Sequence, residues 1–223
     1  MDNTARTKKA KTLTIIGLAV MFLMTLTKHV PSTNIAGYSV FVGIAFFFIV
    51  EAVTKTPDSE SGLRFKTFFA DLKKPGVLLW TLLPVVTAIA VLFIGDWIFA
   101  GEFVAHVLGR TSSLLSFDKI PALVFQVIAA ALGEEIAFRG FFVGKSMKLF
   151  PFWVCALASS VLFACGHIAV GSFWLVFFDV ATIFIDALIY AVIYKKSGNC
   201  LVSTLSHILC NATGIAATFI FFQ

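Results

Sequence analysis

A run of apolar residues at positions 120–143 is interrupted by three charged side chains, Glu134, Glu135 and Arg139. A run of this length suits a helix that crosses a lipid bilayer, because a helix satisfies its own backbone polar groups. An ionisable side chain at bilayer depth costs about 2.5–3.5 kcal/mol or more unless it is paired or faces water. The sequence therefore predicts a membrane helix whose charged residues have a function.

The whole chain shares this apolar character. Of its 223 residues, 59% are hydrophobic and 13% are charged, whereas soluble domains average roughly half apolar and a quarter charged. This length allows about seven or eight spans of ~20 residues. We predict an all-α, polytopic transmembrane helical bundle of seven spans, with eight as the alternative, forming one membrane domain. The four cysteines lack CxxC spacing, so we expect them to be small buried side chains.

Helix breakers between the apolar runs give seven predicted spans, at residues 12–27, 35–53, 77–99, 120–147, 152–167, 173–194 and 201–221. The N-terminal part, residues 1–118, would hold spans one to three and an interfacial amphipathic helix at 62–74, where phenylalanines alternate with basic residues. The polar loop after span three would leave His106 and Arg110 solvated. The second part, residues 119–223, would hold spans four to seven.

Lysine and arginine set the predicted orientation. They concentrate in the N-terminal tail, after span two, after span four, and at Lys195 and Lys196, which share one side of a seven-span arrangement. The positive-inside rule places that side, with the N-terminus, in the cytoplasm. We predict a multi-pass integral protein, and its short chain suits a bacterial cell membrane. The basic residues behind the net charge of +5 cluster at helix ends rather than on one soluble face, which argues against a nucleic-acid partner.

Three polar clusters stand out in the second half of the chain: the acidic pair with Arg139, a segment ending in His167, and a segment containing His207 and Asn211. Residues four apart share a helix face, so Glu135 can pair with Arg139. For the same reason, His207 and Asn211 can face one groove. Glu134 lies about 100° round the helix from Glu135 and is left for water or substrate.

Counting residues from the predicted span ends places these clusters at similar depth. At 1.5 Å per residue, Glu134, His167 and Asn211 each lie about 20 Å from the same membrane surface. A carboxylate can take a proton from water, and an imidazole can orient that water or protonate a leaving group. A second imidazole and an amide can donate to a developing oxyanion. The set therefore permits hydrolysis.

A zinc site is the alternative reading of the same side chains. Glu134, His167 and His207 would make a ligand set with one open position, although the HExxH pattern of metalloproteases is absent. Asn211 is a poor zinc ligand and suits an oxyanion donor better. We therefore favour no cofactor, with zinc as the alternative.

Two functions without hydrolysis stay open. Buried ion pairs and helix-bridging histidines would suit a membrane scaffold or immunity protein that binds a peptide without cutting it. A proton-coupled transporter could use Glu134 with Asp179 and Asp186. These aspartates are seven residues apart on nearly one face of span six, and we expect them to line a substrate cavity. The absence of an inverted repeat argues against a transporter.

The order of the motifs resembles a known family. The pattern Glu134-Glu135-x-x-x-Arg139, then Phe163-x-x-x-His167, then His207-x-x-x-Asn211 is similar to the three signature motifs of the CAAX-protease and bacteriocin-processing (CPBP, or Abi) intramembrane endopeptidases. Flanking residues 158–163 and 197–198 also fit. The resemblance covers about residues 121–214, and the first 120 residues match only in being apolar spans.

The resemblance implies proteolysis within the membrane. It implies that Glu134 activates a water with help from His167, and that His207 and Asn211 donate to the oxyanion. The supporting residues that it implies are Glu135 and Arg139. Such enzymes were long described as metalloproteases, and we prefer a metal-free, glutamate-dependent mechanism.

The implied substrate is a membrane-associated peptide or protein that enters from the membrane or from the cytoplasmic side. We expect peptide processing, bacteriocin self-immunity or signal-peptide maturation ahead of cleavage of prenylated CAAX proteins. The sequence makes no prediction of oligomeric state.

Overall fold

The computed structural model describes residues 3–27, 36–57, 60–112 and 114–222, which form helices joined by turns. In chain order they are α1 (Asn3–Leu26), α2 (Tyr38–Thr54), α3 (Phe68–Leu72), α4 (Val77–Ile98), α5 (Glu102–Thr111), α6 (Ile120–Glu135), a π-helix (Ile136–Val143), α7 (Gly144–Ser146), α8 (Phe152–Gly166), α9 (Phe173–Ser197) and α10 (Cys200–Phe221). These ranges contain no strand, which confirms the predicted all-α class.

Five helical segments are long and apolar enough to cross a membrane: Thr4–Leu26, Val77–Ile98, Ile120–Ser146, Phe173–Ser197 and Cys200–Phe221. Helices α2 and α8 are shorter apolar helices. All seven occur where spans were predicted, although α1 begins earlier than expected. The predicted turn at 28–34 lies outside the described residues. The described segments support a multi-pass membrane protein, and the total of seven or eight spans stays a prediction.

Large apolar side chains cover the outside of the bundle. Trp97 is 84% exposed, Leu79 is 75% exposed and Phe125 is 71% exposed. Such a surface would promote association in water, whereas in a bilayer it meets the acyl chains. The exposed apolar surface therefore agrees with a membrane-embedded chain.

The π-helix lies at the centre of the largest buried cluster, and all eight of its residues are buried. Helix α2 packs closely against the π-helix because glycine occupies two of the contact positions. A Cβ at Gly43 would lie 2.6 Å from the Cβ of Ala137, and one at Gly140 would lie 3.2 Å from the Phe47 ring. Small residues allow such backbone approach in membrane bundles. The segment after the acidic pair is thereby fixed in place.

Helix α10 packs against α4, α6 and α9. The buried Ser206 hydroxyl donates to the Thr81 carbonyl of α4 at 2.7 Å. Hydroxyl-to-backbone bonds of this kind hold helices together where water is excluded. The bond sets the rotation of α10 one residue before His207.

The basic helix ends meet at one end of the bundle. The Lys145 ammonium lies 2.6 Å from the Glu51 carboxylate at the end of α2. The Lys74 ammonium donates to the Ser197 carbonyl at the end of α9. The basic segments therefore share one end, as the charge pattern predicted. The identification of that end with the cytoplasm stays a prediction.

The predicted interfacial helix is shorter than expected, because α3 covers only Phe68–Leu72. Residues 62–67 instead bind the turn between α9 and α10. The Asn199 amide donates to the Arg64 carbonyl at 2.7 Å and accepts from the Arg64 N–H at 3.1 Å. Asp71 forms ion pairs with Arg64 at 3.0 Å and Lys74 at 2.8 Å. These contacts satisfy polar groups that a longer helix would have satisfied itself, and we call residues 62–74 the clasp.

The predicted solvated loop after span three is wrong, because α5 occupies Glu102–Thr111. Its Arg110 side chain lies 3.0 Å from the Asp179 carboxylate of α9, and His106 lies 3.2 Å from the same group. Asp179 is buried. A buried carboxylate needs such partners. The structure therefore pairs Asp179 with α5, where we had expected it to line a substrate cavity.

Candidate active site

Glu135 is the most deeply buried acid of the predicted site, with 0% of its side chain exposed. Nη1 of Arg139 lies 3.0 Å from its Oε1 atom, the pairing that the four-residue spacing predicted. Nη2 of Arg139 donates to the Ala187 carbonyl of α9 at 3.0 Å. A carboxylate without water needs an opposite charge at this distance. The pair therefore ties the end of α6 to α9.

Arg139 is held between two aromatic rings. Its guanidinium carbon lies 4.8 Å from the ring centroid of Phe163 on α8 and 5.2 Å from that of Tyr190 on α9. A guanidinium at these distances is attracted by the ring faces, more strongly where water is absent. The Arg139 cation is therefore held by α8 and α9 as well as by Glu135 at the end of α6.

His207 connects the buried acid to the second acid. Its Nδ1 atom lies 3.1 Å from Glu135 Oε1, and its Nε2 atom lies 3.7 Å from Glu134 Oε2. Since a carboxylate can only accept, the hydrogen bond to Glu135 assigns a proton to Nδ1. Nε2 is therefore the nitrogen that faces Glu134. Tyr190 stacks on the same imidazole.

Glu134 differs from Glu135 in its access to solvent, because 19% of its side chain is exposed. The 3.7 Å separation from His207 Nε2 exceeds a hydrogen bond. Both atoms can instead bind one water between them. The structure thus offers one buried, paired acid and one partly open acid.

His167 lies at the C-terminal end of α8 and joins this cluster through Phe163. Its Nδ1 atom lies 2.8 Å from the Phe163 carbonyl oxygen. Because a carbonyl oxygen can only accept a hydrogen bond, Nδ1 is the donor. The Phe163 ring lies 4.5 Å from the His167 ring and 6.1 Å from the His207 ring, between ring centroids. The aromatic ring therefore separates two imidazoles.

Asn211 lies one turn beyond His207 on α10 and is partly buried. Asp186 is nearby on α9, where it accepts from Thr87 at 2.8 Å and lies 3.8 Å from the Cys210 sulfur. Asp186 thus binds α4 and α10 on the side of α10 that carries Cys210.

Sequence reasoning found the charged residues of this cluster and named Phe163 as the first residue of the His167 motif, but gave its ring no role and missed Tyr190. Phe163 precedes His167 by four residues and so shares its helix face, which was an available signal. Tyr190 gave none, because a single tyrosine in an apolar span is ordinary. The structure also brings His207, rather than His167, within 3.7 Å of Glu134.

The zinc alternative needs Glu134, His167 and His207 to converge. No group of three His, Cys, Asp or Glu side chains in the described ranges is arranged to hold a metal ion. In addition, Nδ1 of His207 faces Glu135. The donor set therefore does not fit a zinc ion as arranged, and no step below passes through one.

An apolar groove of about 540 Å³ opens beside His167. Its walls are residues 168–171, directly after His167, and Phe173, Val176, Phe177 and Val180 of α9. Helices α8 and α9 run between this groove and the basic end, so the two lie at opposite ends of the bundle. The groove thus adjoins His167 along the chain, and none of the other side chains of the polar cluster lines it.

Residues 116–213 match the family model described as Type II CAAX prenyl endopeptidase Rce1-like. The matched segment contains all three polar clusters, and the match confirms the resemblance drawn from their motifs. Searches of curated proteins and of solved structures give no match.

Proposed function

We propose that this chain, whose residues 116–213 belong to the CAAX-protease (CPBP) family, is an intramembrane endopeptidase in which Glu134 activates the attacking water. The observation that carries the proposal is the contrast between two adjacent acids. Glu135 is fully buried and paired with Arg139, whereas Glu134 is partly open and lies 3.7 Å from an imidazole nitrogen. A general base needs this combination of access and a fixed neighbour.

The reaction begins when the Glu134 carboxylate takes a proton from a water that it shares with the neighbouring imidazole. The water oxygen attacks the scissile carbonyl carbon, and the carbonyl oxygen becomes an oxyanion. When the tetrahedral intermediate collapses, the C–N bond breaks and the proton held on Glu134 passes to the leaving amine. His167 orients the water or the leaving group.

His207 and Asn211 stabilise the oxyanion. Because Nδ1 of His207 is held by Glu135, donation toward the substrate must come from Nε2–H of a protonated ring. The Asn211 amide, one turn further along α10, supplies a second donor. Removal of one such donor typically lowers kcat by roughly 10²–10³-fold.

The apolar groove that follows His167 along the chain supports one substrate class. The groove beside His167 is apolar and opens among membrane-facing side chains. It suits a peptide that arrives within the bilayer and presents an apolar flank. Two substrate types fit this description: a lipid-modified C-terminal CAAX sequence, as the name of the matched family suggests, and an apolar peptide of the bacteriocin or signal-peptide kind.

The test uses purified protein in lipid nanodiscs with a panel of both peptide types, and mass spectrometry of the products. Glu134→Gln should lower the cleavage rate by at least ~10²-fold, because the amide cannot accept the proton. Glu102→Gln is the matched control, since it makes the same change at an exposed position on α5. Thermal unfolding of both variants checks the fold.

Cleavage that persists in a folded Glu134→Gln protein would overturn the role of this acid. A wild-type protein that binds panel peptides but cuts none would instead favour the scaffold hypothesis.

A further inference from the structure

The clasp, residues 62–74, lies at the membrane surface. Helices α9 and α10 are both long enough to span a membrane, so the turn that joins them must lie at one end of the bundle. The clasp is bonded to that turn, because the Cys200 N–H donates to the Gly62 carbonyl at 2.7 Å and the Asn199 amide donates to Asp71 at 3.0 Å. Its height relative to the bilayer is therefore fixed by two membrane helices.

The clasp presents two aromatic rings to its surroundings. Phe65 is 71% exposed and Phe69 is 73% exposed. The clasp is held to the turn by the Gly62 and Arg64 backbone and by Asp71, and none of these contacts uses the Phe65 or Phe69 ring. Exposed aromatic rings at the ends of membrane helices lodge at the level of the lipid headgroups. The rings therefore suit contact with lipid.

Three exposed lysines accompany these rings. Lys66 and Lys73 belong to the clasp, and Lys196 lies beside it, because a Cβ at Gly76 would lie 3.7 Å from the Lys196 ammonium. The bond from Lys74 to the Ser197 carbonyl brings the same two segments together.

The acid of the clasp does not neutralise these lysines. The Asp71 carboxylate forms ion pairs with Arg64 at 3.0 Å and with Lys74 at 2.8 Å. Across the described ranges, Lys66, Lys73 and Lys196 have no ion-pair partner. An uncompensated positive surface results beside the turn that joins the two membrane helices.

We propose that the clasp and Lys196 form a docking surface for anionic phospholipid headgroups. Lys66, Lys73 and Lys196 contact the phosphate groups, while Phe65 and Phe69 enter the upper acyl region between them. Positive charge selects anionic over zwitterionic lipid, and the aromatic rings select a bilayer over free phosphate. The lipid thereby holds the clasp, and through Asn199 it holds the start of α10, the helix that carries His207.

The test measures lipid binding by native mass spectrometry of the detergent-purified full chain, titrated with phosphatidylglycerol or phosphatidylcholine. We expect tighter binding of phosphatidylglycerol. The triple variant Lys66→Gln, Lys73→Gln, Lys196→Gln should weaken that binding on the order of 10- to 100-fold. The matched control is Lys8→Gln, Lys9→Gln, Lys11→Gln, which removes three exposed lysines from α1. A second variant, Phe65→Ser with Phe69→Ser, should weaken binding of both lipids.

Equal loss in the two lysine variants would show attraction by net charge alone and would overturn the docking surface. Equal affinity of the wild type for both lipids would overturn it as well. Because the readout is lipid binding, these outcomes do not depend on whether the chain is a protease.

Discussion

The phenol ring of Tyr190 stacks on the imidazole of His207, with ring centroids 4.7 Å apart and an angle of 19° between the planes. The same phenol contributes one of the two rings beside Arg139, 5.2 Å from its guanidinium carbon. Tyr190 therefore fixes both the cation that pairs with Glu135 and the imidazole that connects the two acids. Catalytic groups held within a fraction of an ångström depend on such support.

Replacement of Tyr190 should separate ring stacking from hydroxyl chemistry. We expect Tyr190→Leu to lower kcat by roughly 10²-fold, because a displacement of about 1 Å in a catalytic group costs that much. Tyr190→Phe keeps the stack and should retain most activity. The measurement is kcat and KM for both variants on one peptide. If the two variants lose activity equally, the hydroxyl rather than the stacking face is responsible.

Loss of Arg139 should lower the free energy of unfolding of the protein. Arg139→Met leaves the buried Glu135 carboxylate without its cation, which typically costs about 3–5 kcal/mol. Arg139→Lys keeps the charge but cannot fill the planar slot between Phe163 and Tyr190, so its stability should be intermediate.

Chemical unfolding in detergent micelles measures both Arg139 variants against wild type. The double variant Glu135→Gln, Arg139→Met removes both charges and should recover part of the loss. An Arg139→Met protein as stable as wild type would mean that the Glu135–Arg139 pair adds nothing to stability.

The main helices could be predicted because span length and apolar composition are local properties of the chain. The pairing of Glu135 with Arg139 was predictable for the same reason, since both lie on one helix. The pairing of Arg110 with Asp179 was not, because 69 residues separate them and only tertiary packing brings them together. The approach of His207 to Glu134 also depends on how α10 is rotated against its neighbours. The π-helix could not be predicted from the pattern of apolar residues, because it is defined by its backbone hydrogen bonds.

The clasp should show a pH dependence through Asp71. Burial raises the pKa of Asp71, but hydrogen bonds from Lys74, Thr67 and Asn199 and the charge of Arg64 lower it from 3.8 to about 2. A carboxyl group whose pKa is lower in the folded state stabilises that state at higher pH. This contribution is complete above the unfolded value of 3.8 and is lost as the pH falls through about 2.

We therefore expect the melting temperature of wild type to fall more steeply than that of Asp71→Asn on acidification across this window. The two curves should approach each other at its acid end. Parallel curves throughout would show that the Asp71 carboxylate adds nothing to stability.

Metal dependence can be tested directly. Because Glu134, His167 and His207 are not arranged as a ligand set, we expect peptide cleavage to persist after dialysis against a chelator. Elemental analysis of the active protein should give zinc well below one equivalent. Activity that disappears with the chelator and returns with stoichiometric zinc would replace the metal-free mechanism.

The π-helix between the acids and Lys145 has a consequence for how this chain tolerates length changes. Its hydrogen bonds reach one residue further than those of an α-helix, so the segment accommodates a residue that an ordinary helix of the same rise would not. Deleting one of residues 136–143 would remove that extra residue, restore the usual ladder and leave the helix beyond it facing as before, whereas inserting one more residue would turn everything beyond the segment by about 100°. After such an insertion Lys145 would swing away from Glu51 even though no contact residue had been mutated. The segment should thus tolerate the loss of a residue better than the gain of one.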